Sequence, residues 1–371
     1  MRVPRQGAID CDVHIAPPAT TALLPFLDEY WREQLLNRGL DRTDFTLTSY
    51  PPRLPLSGRP DWRPAEGQPG SSLEMLRREA LDGFGSRFAI ATVLHGAQAL
   101  HTEDMAAALC RAVNDWVAAE WLDREPRLRG SIVVPAQNIE LAVEEIERKA
   151  ADPRFVQVQL LAMMDQPLGR RMYWPIYRAA EKHGLAVCIH AGSLYRHAPT
   201  ATGWTSFHLE DYVGQAQAFD AQLASLVCEG VFTKFPTLKV VLAESGFTWL
   251  PTFLWRMNKI WRGLRAEVPW VQRQPSEIIA ENVRVTLQPV DAPADPSVLA
   301  RTIEHIGSDR MLLFASDFPH WHFDGDEVLP DGLPEALLQR ILVDNPLDAY
   351  RRLPRPAAAE AATLQTEESA R

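Results

Sequence analysis

Four short apolar runs in this 371-residue chain finish on side chains that bind metals or move protons. Ile9-Asp10-Cys11-Asp12-Val13-His14 ends on an Asp-x-His pair, and Leu185-Ala186-Val187-Cys188-Ile189-His190 ends on His190. Val240-Val241-Leu242-Ala243-Glu244 and Leu312-Leu313-Phe314-Ala315-Ser316-Asp317 end on carboxylates. A lone buried histidine is most simply a core residue bonded to a backbone carbonyl, but four such strand ends together imply one shared site. Positions i and i+2 of a strand face the same way, so Asp12 and His14 converge. Two histidines and two aspartates (Asp12, His14, His190, Asp317) suit one divalent ion of borderline hardness, zinc first and manganese second. Polar caps on strand termini are the alternative without a ligand.

The elements that must bring these ends together follow from hydrophobic period. Strands are expected at 8–14, 88–95, 132–134, 155–161, 185–190, 238–244, 283–287 and 311–317. Helical spacing is expected over 71–84, 102–123, 139–150, 171–183, 208–230, 247–262, 297–306 and 334–350. Strands that alternate with helices make a parallel sheet, and eight such units predict a closed (β/α)8 TIM barrel with its site at the C-terminal strand ends. No strand leads into GxGxxG or a P-loop, so a nucleotide-binding sheet has no anchor. Residues 1–353 read as one barrel domain, and 354–371 as a frayed, disordered tail. Between strands 1 and 2, residues 17–70 form a proline-rich insertion with one short helix near Leu23–Asn37; it reads as a lid or a subunit contact. Trp116 and Trp121, on the 102–123 helix, are candidates for an oligomer surface.

A net charge of −10 with no basic block argues against a nucleic-acid partner. Cys11, Cys110, Cys188 and Cys228 lie far apart with no CxxC pair, which points to reduced cysteines in a reducing, cytoplasmic compartment. Cys188 is read as a packing residue facing away from His190. No run approaches about 18 apolar residues, so neither a membrane span nor a signal peptide is expected.

The motif stretches Ile9–His14, Val187-Cys188-Ile189-His190-Ala191-Gly192, Phe235-Pro236-Thr237-Leu238-Lys239-Val240-Val241-Leu242 and Ala315-Ser316-Asp317-Phe318-Pro319-His320 resemble the amidohydrolase superfamily. The likeness runs from about Ile9 to Tyr350, in the amidohydrolase-related branch typified by aminocarboxymuconate-semialdehyde decarboxylase. It implies a single metal held through Asp12, His14, His190 and Asp317, and the branch is often dimeric, so a homodimer is expected. The chain departs from the branch pattern at Asp12, where a histidine is common. It departs again at Glu244, where members carry an acid/base histidine. Glu244 is then an acid/base, a ligand, or a structural residue that accepts bonds from Ser245 or Trp249. His320 is the other candidate proton carrier, with His322 beside it. Trp204, His208 and Trp321 suit a planar substrate, and Arg53 suits a carboxylate clamp. His95, closing strand 2, carries no assignment.

The resulting expectation is a metal-dependent decarboxylase of a small carboxylated aromatic or dienoic compound. Metal-dependent hydrolysis of an amide, lactone or C–C bond is the alternative, and a non-catalytic binding barrel is the second alternative.

Overall fold

The strands observed are β1 (Ala8–His14), β2 (Ser86–Thr92), β3 (Leu128–Val133), β4 (Phe155–Met163), β5 (Ala186–Ser193), β6 (Val240–Ala243), β7 (Val283–Thr286) and β8 (Leu312–Leu313). Each pairs in parallel with the next, in the order β1 to β8. The computed structural model describes residues 7–43, 58–292, 294–320 and 328–355. β8 is short, and the chain beyond it closes the ring by lying along β1. Cys11 N–H donates to Phe314 O at 2.9 Å, Asp317 N–H to Asp12 O at 3.1 Å and His14 N–H to Phe318 O at 2.6 Å. The (β/α)8 barrel expected from the alternation is the fold observed.

Strand parity divides the core in two. Val187, Ile189, Val240 and Leu242 face the helices, while Ile9, Cys11, Ala186, Val241 and Leu313 meet inside the barrel above Tyr350. That division corrects the reading of Cys188. A period of two puts it on the same inward face as Ala186 and His190, not the opposite one. Its thiol is pushed well up by burial and then by the charges of Asp12 and Glu244, as an inward position requires.

Several boundaries move for local reasons. Pro25 and an N-cap at Asp28, which accepts from Trp31 N–H at 2.9 Å, split the expected 23–37 helix into a turn at Thr20–Phe26 and a helix at Glu29–Asn37. A helix at Pro275–Asn282, with proline at its start, was not anticipated. The helix Glu103–Val117 buries Trp116, and Trp121 follows it into the core; the two rings lie 5.9 Å apart, so neither offers an oligomer surface.

The described parts of the 17–70 insertion are ordered. Ala16 N–H donates to Gly70 O at 3.0 Å and closes its neck. Its far end docks on the chain beyond β8. Gly58 bridges His320, Arg59 N–H donates to Pro319 O at 2.9 Å, and buried Trp62 packs 5.1 Å from the Phe318 ring and 6.3 Å from Phe84.

Candidate metal centre

At the C-terminal mouth of the barrel, β1 contributes Asp12 and His14. A register irregularity between Asp10 and Val13 turns this segment. Asp10 fixes it: its Oδ1 accepts from Ser316 N–H at 2.9 Å and Asp12 N–H at 3.3 Å, tying β1 to the segment that carries Asp317. Burial pushes the Asp10 carboxyl up to about 7. Asp10 was missed at the sequence level, although a third ligand-type residue in the same short run was its visible signal.

β5 delivers His190 on its inward face. His190 Nδ1 lies 2.7 Å from Ala191 O, and a carbonyl can only accept, so Nδ1 carries a proton and Nε2 is the atom turned toward the carboxylates. That Nε2 stands 3.1 Å from Asp12 Oδ2 and 3.8 Å from Glu244 Oε1. His14 Nε2 lies 2.9 Å from Asp317 Oδ1, 3.2 Å from Glu244 Oε1 and 3.8 Å from Asp12 Oδ2. Nδ1 of His320 stands 3.0 Å from both Glu244 Oε1 and Asp317 Oδ1, and its ring lies 4.3 Å from that of His14.

Glu244 and Asp317 reach the cluster by leaving the strand geometry. Their φ angles are 52° and 56°, in the left-handed region that non-glycine residues seldom occupy. Glu244 N–H donates to Thr286 Oγ1 at 3.1 Å on the neighbouring strand. Ser245 Oγ and Trp249 Nε1 donate to backbone carbonyls of Gly246 and Ser245, so the structural role once open to Glu244, accepting from those two side chains, is ruled out.

The donors fit a metal. Atoms that share one ion at about 2.0–2.2 Å stand roughly 3–4 Å apart, and the separations here run from 2.9 to 3.8 Å. Asp12 Oδ1 is buried without a hydrogen-bond partner, a cost that a bound cation removes. Asp12, His14, His190 and Glu244 form one set of four whose ligand atoms lie within 4.8 Å of one another; His14, Glu244, Asp317 and His320 form another. Of the four residues read from the sequence, Asp12, His14 and His190 thus share the first set with Glu244, while Asp317 meets His14 in the second, beside Glu244 and His320.

The charges are strongly interdependent. Burial and Asp317 push the Glu244 carboxyl up, but His190 and the hydrogen bonds of His14 and His320 outweigh them and carry it down to about 2. Burial lowers His190, whereas Asp12 and Glu244 take it up to about 9. The imidazole of His320 is opposed by burial and carried well up by Asp317 and Glu244. His95 stands apart: burial alone pulls it down to about 4, and its Nδ1 accepts from Ala97 N–H at 3.2 Å.

Among the substrate-side candidates, Trp204 is exposed, and His208 begins the helix His208–Cys228 with its ring 5.8 Å from that of Tyr212. Tyr212, unremarked in the sequence, faces the centre. Its hydroxyl is pushed well up by burial and then by Glu244, Asp317 and Asp291. Its position four residues after His208 was the available signal. Arg53, Trp321 and His322 lie outside the described residues.

The amidohydrolase family model matches residues 9–352. The chain is 27% identical over 241 residues to the γ-resorcylate decarboxylase of Polaromonas sp. (strain JS666), covering 61% of this chain and 71% of that protein. It is 24% identical over 236 residues to the γ-resorcylate decarboxylase of Rhizobium sp. (strain MTP-10005), covering 61% and 70%. Among solved structures, a 2,6-dihydroxybenzoate decarboxylase complexed with 2,6-dihydroxybenzoate superposes with a TM-score of 0.65 at 18% identity, over 94% of this chain and all (100%) of that one. The 5-carboxyvanillate decarboxylase of Novosphingobium aromaticivorans, complexed with manganese and 4-hydroxy-3-methoxy-5-nitrobenzoic acid, gives 0.68 at 18% identity over 93% and 96%. At that identity the two superpositions speak for the fold, and the relatives fall in the decarboxylase branch expected from the motifs. With its model spanning nearly the whole barrel, the chain belongs to the amidohydrolase family.

Proposed function

We propose that the protein is a metal-dependent decarboxylase of a hydroxylated aromatic carboxylic acid. The observation that carries this reading is the convergence of His14, His190, Asp12, Glu244 and Asp317 at the mouth of a barrel whose relatives remove carboxyl groups from aromatic acids. Asp12, His14, His190 and Asp317 would hold the ion, with Glu244 as a further ligand. A carboxyl held near 2 in the metal-free protein is a poor proton carrier at neutral pH and a good anionic donor. An oxygen-rich set of three carboxylates suits manganese better than four-coordinate zinc, reversing the order read from the sequence. A divalent ion there supplies Lewis acidity toward the substrate carboxylate and a neighbouring oxygen.

The chain's own groups do the rest. The Ala191 carbonyl orients His190, and Glu244 and Asp317 together orient His320. His320 gives its proton to the ring carbon as the bond from that carbon to the carboxylate breaks; CO₂ leaves and the arene keeps the hydrogen. Tyr212 and His208, whose rings lie 5.8 Å apart, would line the substrate side, with Trp204 the further candidate.

The test is incubation of metal-loaded protein with 2,6-dihydroxybenzoate and other hydroxybenzoates, reading CO₂ and the decarboxylated phenol. His320→Gln should retain metal yet lose roughly a hundredfold or more in turnover. Turnover of lactones or amides with water added to the product, and no CO₂ from any benzoate, would assign the protein to hydrolysis instead.

No described helix is long and apolar enough to cross a membrane. The four cysteines are free, which supports work in a reducing cytoplasm. Phe207, Leu209 and Val213 are 71%, 73% and 68% exposed around one end of the helix His208–Cys228, which supports a homodimer through that face. Sedimentation at micromolar concentration distinguishes dimer from monomer.

A further inference from the structure

The helix Leu250–Leu264 presents two unlike faces. Leu250 and Leu254 are buried against the barrel, and Phe253, Met257 and Trp261 pack beside them. On the outer side Trp255, Ile260 and Leu264 each leave about half their surface in solvent, among exposed Arg256, Lys259, Arg262 and Arg265. Residues three and four apart are neighbours on a helix, so Trp255, Lys259 and Arg262 form one row and Arg256, Ile260 and Leu264 the next. No aspartate or glutamate occurs between Glu244 and Glu267, in a chain whose net charge is −10. The four cations are also uncommitted. Among the described residues none of them makes an ion pair, whereas Arg127, Arg148 and Arg154 each hold two acidic partners.

We propose that this face docks on an anionic phospholipid surface, with the helix lying along the bilayer and Trp255, Ile260 and Leu264 entering its headgroup region. The inference is independent of the reaction. Arginine and lysine beside tryptophan and large aliphatic residues are the composition of helices that lie in the membrane interface, and each exposed cation adds attraction to anionic headgroups. The stems of Lys259 and Arg262 can follow the apolar rows while their charges reach phosphate. A second copy using the same face would set these cations against their own counterparts, so charge opposes a symmetric contact. Nucleic acid would meet the charges but offer no acyl phase to Ile260 and Leu264. The helix follows β6 and returns from the mouth toward the opposite end of the barrel, so docking leaves the metal centre open.

The experiment is co-sedimentation of full-length protein with vesicles of equal parts phosphatidylglycerol and phosphatidylcholine, set against vesicles of phosphatidylcholine alone. Wild type should bind the mixed vesicles roughly tenfold or more tightly, and added salt at about 0.5 M should remove most of that preference. Lys259→Glu/Arg262→Glu should lose roughly tenfold or more in affinity. Ile260→Ser/Leu264→Ser, with charge unchanged, should lose roughly threefold or more. A remote reversal at two exposed arginines, Arg38→Glu/Arg301→Glu, should bind like wild type. Circular dichroism of each variant checks that it is folded. No binding, equal binding to both kinds of vesicle, or as large a loss from the remote reversal overturns the proposal. Unchanged affinity in Ile260→Ser/Leu264→Ser overturns the entry of the apolar side chains and leaves adsorption by charge. Self-association that the helix variants abolish, without vesicle binding, overturns the lipid and gives the face to a second copy.

Discussion

Asp10→Asn tests the seam between β1 and β8 through the pH dependence of stability. Asp10 is fully buried; its Oδ1 accepts two backbone N–H groups, and its Oδ2 has no hydrogen-bond partner. Burial raises its carboxyl from 3.8 to about 7, against the hydrogen bonds from Ser316 and Asp12 that lower it. Between those values the folded chain holds a proton that the unfolded chain has released, so stability falls as pH rises through the window. About three units at 1.36 kcal/mol each come to on the order of 4 kcal/mol, present below pH 4 and lost by about pH 7. About two of those units lie above pH 5, so ~3 kcal/mol should disappear between pH 5 and pH 8. Asparagine keeps the Oδ1 acceptor and cannot ionise. In urea unfolding of chelator-treated protein, wild type should lose that ~3 kcal/mol relative to the variant, the other titrating groups being common to both. Parallel pH profiles for the two proteins, or a variant less stable at pH 8, would refute the assignment of a strained buried carboxyl to Asp10.

The remaining expectations concern metal and packing. His190→Ala should lose metal on gel filtration while its circular dichroism and melting stay those of a folded barrel, because the His190 ring on the inward face of β5 meets Asp12, Glu244 and the Ala191 carbonyl and not the apolar core; an unfolded variant would contradict this. Glu244→Gln should weaken metal binding, so that added Mn²⁺ restores turnover; lost turnover with unchanged metal affinity would return Glu244 to the acid/base role. Trp62→Ala should cost about 3–5 kcal/mol in urea unfolding, since it empties a buried site between Phe84 and Phe318. A loss below about 1 kcal/mol would mean the insertion does not depend on that ring.

The barrel was legible because eight apolar runs alternate with amphipathic helices, a pattern that few architectures satisfy. Its site was legible because Asp12, His14, His190, Glu244 and Asp317 interrupt that apolarity at its ends. What escaped was local. The run Met311–Asp317 reads as a full strand, yet only Leu312–Leu313 pairs as one with β7, because the chain then turns to bond with β1. The helix Pro275–Asn282 is short enough that its proline and glutamates resemble a loop. Asp10 and Tyr212 act through neighbours distant in sequence, Ser316 for the first and Glu244, Asp317 and Asp291 for the second, so their local signals, a third ligand-type residue in the β1 run and a tyrosine four after His208, do not tell what they do. The role of Glu244 depended on which atoms surround its carboxylate, and three imidazoles within 3.8 Å set it.

The left-handed backbone at Glu244 and Asp317 links the closing of the barrel to the chemistry of its mouth. Each such residue costs on the order of 1–2 kcal/mol relative to an extended one, and a strand that simply ended there would have no reason to bear it. The compensation comes in each case from the next element around the ring. Thr286 of β7 accepts the amide of Glu244, and the carbonyl of Asp12 on β1 accepts the amide of Asp317. Neither carboxylate is therefore placed by its own strand alone. Asp317 is aimed by the same bonds that join the chain after β8 to β1, so the seam that closes the barrel also sets Asp317 and Asp12 on either side of His14. A substitution that loosens the seam, at Asp10 or Ser316, must then disturb metal affinity even though it removes no ligand.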